Sequence, residues 1–336
     1  DELLLTAHHR DDQAETVMLQ LLRGALLAGL AAMPAVCRFG PGYLARPLLQ
    51  FTRSELEAYA MEHHLQWVED PSNRDTGLDR NYLRQRVMPL LEARWPACSR
   101  TLSRSARHCA EAQALIDEMA AVDMAPLVDA ASRSLSSSGV AALAPPRGRA
   151  VLRAWISGNG FPLPGSARLD RVLHEMTGAA RDRNPLVHWP HTEVRRYRDR
   201  LYLMPPLAHH DPDQVLGWAG GAALQLPGGL GQLRLVQGPG GLARRCWPVS
   251  GVEVRFRHAG ERLRPAQRAN SLSLKKLFQQ RAVPPWLRSR IPLLYIDGEL
   301  AAVADLCVCQ PFAAAGEEPG LRVVWDKPAC QVDRFR

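Results

Sequence analysis

Apolar and polar positions divide the chain into readable elements. Leu3, Leu4 and Leu5 form an uninterrupted apolar run within residues 2–7, which reads as a strand covered on both faces, as in a parallel sheet. A polar stretch follows, and then Val17, Met18, Leu21 and Leu22 recur at helical spacing, with Gly24 placed to end the helix. Thr52-Arg53-Ser54-Glu55 has capping-box spacing and opens a helix through Leu56, Tyr59 and Ala60. A turn at 67–73 leads into a further helix with Leu83, Val87, Leu90 and Leu91 on one side. Ala106, Cys109, Ala110, Leu115, Ile116 and Met119 mark another helix, and 194–197 with 201–203 read as a hairpin turning at Arg198-Asp199. Pro205-Pro206 closes that block. The Gly/Pro-rich stretch after it reads as a linker, with short strands admissible at 224–226 and 233–235. Residues 252–257 alternate strictly, the pattern of a half-buried strand, and the residues after Lys327 read as a loose tail. The expected organisation is therefore 1–99, 100–205, a linker 206–250, and 251–327.

The first strand needs neighbours on both sides. Among the next hundred residues only the short run 43–49 interrupts the helical patterns, so no clear parallel partner is expected there. The sequence, which does not start with Met, reads as part of a larger α/β sheet whose first strands lie upstream.

Composition narrows the class. The 336 residues leave room for two or three domains of roughly 100–200 residues each. With 46% apolar and 23% charged residues, wholesale disorder is excluded. The longest nearly uncharged apolar stretch, 24–37, contains Pro34 and falls short of the ~20 residues of a membrane span. No secretory leader is read at the start. The 7 cysteines form no CxxC pair, which suggests neither a disulfide framework nor a zinc ribbon and fits a reducing cytosol. The net charge of +8 is unevenly placed. Between Glu261 and Asp297 stand Arg262, Arg264, Arg268, Lys275, Lys276, Arg281, Arg288 and Arg290, with no acid among them. Interleaved with Leu272, Leu274, Leu277, Phe278 and Trp286, this one-sign stretch can fold and still present a positive face to a polyanion; a merely solvated face is the plainer alternative.

The stretch richest in chemistry is Thr6-Ala7-His8-His9-Arg10-Asp11-Asp12-Gln13-Ala14-Glu15-Thr16, at a strand-to-helix junction. Ligands of open α/β sheets bind at such strand ends. His8 with Asp12, and Asp11 with Glu15, are four apart and cluster at the helix mouth. Asp12 and Glu15 also have the spacing of a capping box. Two histidines without further ligands nearby do not make a zinc site, so no metal bound by a protein motif is expected. Arg80 and Arg84 are four apart and share a helix face, an arrangement suited to phosphate contact or to pairing with Asp75 and Asp79.

Taken together these segments resemble the bacterial tRNA(Ile)-lysidine synthases, of the PP-loop ATP pyrophosphatase superfamily. The resemblance is carried by the run from His8 to Thr16, by Leu22-Arg23-Gly24, Gly29-Leu30 and Arg46-Pro47-Leu48-Leu49, by Glu69-Asp70-Pro71-Ser72-Asn73, and by Arg80-Asn81-Tyr82-Leu83-Arg84. In the last block it is carried by Arg262-Leu263-Arg264-Pro265, Leu274-Lys275-Lys276-Leu277-Phe278, Val283-Pro284, Trp286-Leu287-Arg288 and Ile291-Pro292-Leu293. It is weakest over 120–190 and 205–250.

The resemblance implies an α/β fold: the remainder of a doubly wound parallel-sheet PP-loop domain lacking its first strands, then a mainly helical α+β middle domain and a small α+β C-terminal domain. It implies a cytoplasmic ligase that uses ATP, with Mg2+, to adenylate carbon 2 of the wobble cytidine in the CAU anticodon of tRNA(Ile). Free L-lysine then displaces AMP, and codon specificity changes from AUG to AUA. Asp12, Glu15 and His8 are the catalytic candidates on this reading. Asp12, Glu15 and Arg46 are the substrate-binding candidates, and Arg80, Asn81, Arg84, Lys275, Lys276 and Arg288 the tRNA contacts. A homodimer is a further expectation. The family's Ser-Gly-Gly-x-Asp-Ser loop, which cradles ATP, has no counterpart in this sequence, so the chain as written is expected to be inactive alone. A thiolation-type relative and a non-catalytic tRNA-binding protein are the alternatives. The first commonly uses cysteine pairs, which are not found here; the second follows if the short chain is the whole product.

Overall fold

The structure is a computed structural model that describes residues 2–68, 70–178, 183–258, 260–268, 270–315 and 318–327. Glu69, part of one resemblance motif, and the tail expected after Lys327 lie outside the described residues. The chain divides into two compact units, Asp1–Ala120 and Ala121–Arg336. The division falls inside the long helix Cys98–Met124 rather than at the expected boundary near residue 99.

In the first unit the strand Leu3–Leu5 does have a parallel partner, Gly42–Ala45, with Leu3 opposite Tyr43 and Leu5 opposite Ala45. The run at 43–49 thus supplies a strand in its first half, against the expectation of no parallel partner. Val36–Phe39 adds to the other side of Gly42–Ala45, antiparallel. The three leucines are not buried on both faces as their pattern predicts; they are 61%, 48% and 59% exposed. The helix Arg10–Leu22 follows. Arg23 caps it, Ala25 N–H bonds back to Gln20 C=O at 2.9 Å and Gly24 N–H to Leu21 C=O at 3.0 Å, with Gly24 at φ +67°. That is a Schellman ending, which favours glycine because a Cβ is disfavoured at positive φ. Arg53–Glu62 starts at the expected capping box of Thr52 and Glu55. The helix expected after residue 73 begins at Asp79–Tyr82, widens to π geometry over Leu83–Val87, and resumes as Met88–Arg94. Pro89 explains the widening: it has no N–H to give and its ring would strike the carbonyl four residues back.

The second unit has two cores. In one, Leu135, Val151, Leu152, Trp155, Ile156, Leu169 and Leu201 pack the helices Pro145–Gly158 and Ser166–Arg171 onto a four-stranded sheet. That sheet contains the expected hairpin, Thr192–Tyr197 and Arg200–Met204. The other core lies between a four-stranded and a five-stranded sheet. Residues 206–250 belong to it and are not a linker. Trp218, Leu226, Leu230, Leu233 and Leu242 are buried with Phe256, Phe278 and Leu293, and Gln232–Pro239 pairs along its full length with Pro319–Asp326. Gly220, Gly221, Gly228, Gly229, Gly240 and Gly241, which suggested a linker, sit in its turns, and Gly238 lies in the strand itself. At Gly241 (φ +81°) an added Cβ would lie 2.5 Å from the Leu321 carbonyl oxygen. No described helix is long and apolar enough to cross a membrane.

Candidate functional site

The first two turns of Arg10–Leu22 carry a dense cluster of ionisable side chains. His9 is the N-cap: its Nδ1 accepts from Asp12 N–H at 3.4 Å, while the Asp12 carboxylate accepts from His9 N–H at 3.0 Å. The capping box is therefore His9 with Asp12, not Asp12 with Glu15 as the spacing allowed. Moving the cap back by three residues releases Glu15 from capping and places it one turn inside the helix.

Glu15 is 2% exposed and receives two guanidiniums. Arg84 Nε donates to Oε1 at 2.6 Å and Nη2 to Oε2 at 2.9 Å, a bidentate fork, and Nη2 also reaches Asp12 Oδ1 at 2.8 Å. Arg80 Nε donates to Glu15 Oε2 at 3.0 Å, and its Nη2 reaches the Asp12 carbonyl at 3.3 Å and Thr16 Oγ1 at 3.1 Å. Two carboxylates and two guanidiniums cancel, which is the condition for burying charge at tolerable cost. Donating to the Glu15 carboxylate holds the Arg84 guanidinium above its ordinary pKa, so it stays charged. Arg80 and Arg84 were expected to face phosphates or to answer Asp75 and Asp79; here their main partners are Asp12 and Glu15.

The neighbouring side chains build the frame. Asp11 accepts from Arg53 N–H at 2.9 Å and Ser99 Oγ at 2.7 Å, joining three helices. Gln13 clamps the backbone of Met33 with two bonds, of 2.8 and 3.0 Å. Asn81, expected to contact tRNA, is 7% exposed, and its Nδ2 donates to the Ser72 and Asp75 carbonyls at 2.9 Å each. Through Nδ2 it holds the Pro71–Arg74 turn.

A cavity of about 150 Å³ opens beside the cluster, lined by His9, Asp11, Glu15, Arg53, Arg84, Met88 and Glu92. Partial burial, and then the charge of Asp11, push the Glu92 carboxyl above the usual carboxylate range. Glu92 and Arg53 escaped the sequence reading. Arg80, Arg84, Met88 and Glu92 follow at intervals of four, a row that drifts around an ordinary helix of 3.6 residues per turn; the widened turn at Leu83–Val87 counters that drift. His8 does not line the cavity; its Nδ1 lies 2.9 Å from Thr6 Oγ1. Arg46 is also outside it, donating to the Pro34 carbonyl at 2.8 Å. In the second unit Lys275 and Lys276 are exposed on the helix Leu274–Gln280, with Leu274, Leu277 and Phe278 buried beneath them. Arg288 is half-buried and donates to the Val283 carbonyl at 2.9 Å, its guanidinium lying over the Tyr197 ring. Among the described residues no group of three or more His, Cys, Asp or Glu is placed to hold a metal ion.

Three family models match the chain: a PP-loop domain over residues 1–91, a TilS substrate binding domain over 135–202 and a TilS substrate C-terminal domain over 252–325. The tRNA(Ile)-lysidine synthase of Methylococcus capsulatus is 46% identical over 327 residues, covering 96% of this chain and 74% of that protein. The chain belongs to the tRNA(Ile)-lysidine synthase family. Its relative of the same name from Coxiella burnetii is 43% identical over 328 residues, 98% of this chain and 73% of that protein. A crystal structure of a TILS C-terminal domain covers 34% of this chain and 98% of its own, at 18% identity and a TM-score of 0.29. In this tRNA(Ile)-lysidine synthase family member, the 1–91 match contains the whole Asp12–Glu15–Arg80–Arg84 cluster.

Proposed function

We propose that the protein ligates lysine to carbon 2 of the wobble cytidine of tRNA(Ile) with a CAU anticodon, consuming ATP. The cytidine carbonyl oxygen attacks the α-phosphate, pyrophosphate leaves, and carbon 2 becomes activated as an adenylate ester. The lysine side-chain amine, once deprotonated, attacks that carbon; the C–O bond breaks and AMP departs with the oxygen. ATP is the substrate that supplies the leaving group, and Mg2+ accompanies it.

The observation that carries this reading is the buried Glu15 lining a small polar cavity, with buried Asp12 joined to it through Arg84 just outside the lining, in a chain 46% identical to a protein of that name. A carboxylate offers about four lone-pair positions. Glu15 gives three to Arg80 and Arg84, and the Asp12 carboxylate gives one to Arg84 and one to His9 N–H. Accepting positions remain on both for a lysine ammonium. The arginines hold the two carboxylates in place. Glu92, with its raised pKa, suits the group that takes the amine proton; His8, outside the cavity, suits it less. Lys275 and Lys276 are free to meet tRNA phosphates.

The test is to incubate the full-length protein with ATP, lysine and the tRNA(Ile) transcript, digest the RNA and weigh its nucleosides. A cytidine heavier by lysine less one water supports the reading. An unmodified wobble cytidine, with ATP consumed or not, overturns it.

A further inference from the structure

The sequence 93–110 contains Arg94, Arg100, Arg104, Arg107 and His108 and no acid. It forms the start of the helix Cys98–Met124, where Arg100, Arg104 and Arg107 follow at intervals of four and three and so share a face. That face lines a cleft of about 570 Å³ in the first unit, closed on the other side by Arg10, Met33, Pro34 and Gln50. No Asp or Glu lines it. Arg107 lies 3.7 Å from Glu111 and Arg10 3.4 Å from Glu55, but Arg100 and Arg104 have no hydrogen bond or ion pair among the described residues. The Nε of Arg10 is buried without a partner. Arg100, in the first turn, meets the positive end of the helix dipole, and like charges three and four apart repel, so the row favours an anion bound along it.

We propose that this cleft is a binding site for the sugar-phosphate backbone of the RNA substrate, beside the helix Arg10–Leu22 whose first two turns carry Asp12 and Glu15. The shape selects a strand over a compact anion. From Arg100 to Arg107 the charges extend about 10 Å along the helix axis, a row that matches successive phosphodiesters, whereas a free phosphate or pyrophosphate calls for donors that converge. The assignment rests on the RNA-modifying reading above and adds a contact surface to it.

The test compares binding of the CAU-anticodon tRNA(Ile) transcript across a salt series by the full-length protein, wild type against Arg100→Gln/Arg104→Gln and Arg100→Lys/Arg104→Lys. Lysine incorporation and inhibition by pyrophosphate are read on the same preparations. Each lost phosphate contact removes roughly 0.7–0.9 from the log–log slope. The glutamine pair is expected to lower the slope by about 1.5 and to weaken cognate and non-cognate tRNA alike, while the lysine pair keeps the wild-type slope and pyrophosphate inhibition is unchanged in both. A glutamine variant with the wild-type slope overturns the proposal. So does weakened pyrophosphate inhibition without a change of slope, which would assign the cleft to the nucleotide. A wild type that binds tRNA yet incorporates no lysine counts against the proposed function and leaves the slope comparison to decide the cleft.

Discussion

At the scale of single residues the site turns on Glu15, which is buried and gripped by two guanidiniums. Glu15→Gln removes the charge both arginines answer, while Asp12→Asn removes a charge shared between Arg84 and the helix cap. Glu15→Gln is expected to lower stability by about 1–3 kcal/mol, the cost of leaving a charged hydrogen-bond partner unsatisfied. Asp12→Asn is expected to cost less, near the ~1 kcal/mol of a weakened cap. Thermal melts beside lysine-dependent kinetics check this; equal and small losses of stability would contradict the central place of Glu15. Glu92 gives a pH signature. Its folded pKa lies above the ordinary value of about 4.3, so the native state binds the proton more tightly than the unfolded chain. Its contribution to stability therefore falls as pH rises through that ordinary value toward the raised one. Glu92→Gln should match wild type at low pH and gain in melting temperature relative to it as pH rises through this window. A difference independent of pH would place the cause elsewhere.

At the scale of elements, boundaries set by local chemistry were legible. The Thr52 capping box, the hairpin around Arg198-Asp199 and the Gly24 ending all follow from residues that act on their own backbone neighbours. Gly24→Ala is expected to cost about 1 kcal/mol, because the strain at φ +67° arises with nothing near enough to clash; a melt unchanged by the substitution would contradict the Schellman ending. What was illegible depends on distant partners. Asp12 and Glu15 have capping-box spacing, but only Arg80 and Arg84, more than sixty residues away, show that Glu15 has another use. The widened turn before Pro89 set the phase of Met88 and Glu92, and no count at 3.6 residues per turn finds them on the site's face. The glycines of 206–250 mark turns as readily as linkers, and the pairing of Gln232–Pro239 with residues 319–326 decides between them.

At the scale of the whole molecule, the basic stretch after Glu261 separates into two groups. Arg290 is buried, with burial and the nearby Arg195 lowering its pKa, and Arg288 is held against Val283 and Tyr197. Arg262, Arg264, Arg268, Lys275, Lys276 and Arg281 remain exposed. Lys275→Ala with Lys276→Ala should therefore lower the salt dependence of tRNA binding, by roughly 0.7–0.9 in slope per phosphate contact, and leave the melt unchanged because the leucines and phenylalanine beneath stay packed. An identical slope would make this helix purely structural. The most direct measurement of the account separates the two half-reactions in the full-length protein: pyrophosphate release from ATP with tRNA(Ile) alone, and transfer of labelled lysine to that tRNA. The account predicts that wild type performs both and that Asp12→Asn, folded and still releasing pyrophosphate, transfers lysine poorly. Normal lysine transfer by folded Asp12→Asn, or no transfer by wild type, would contradict it.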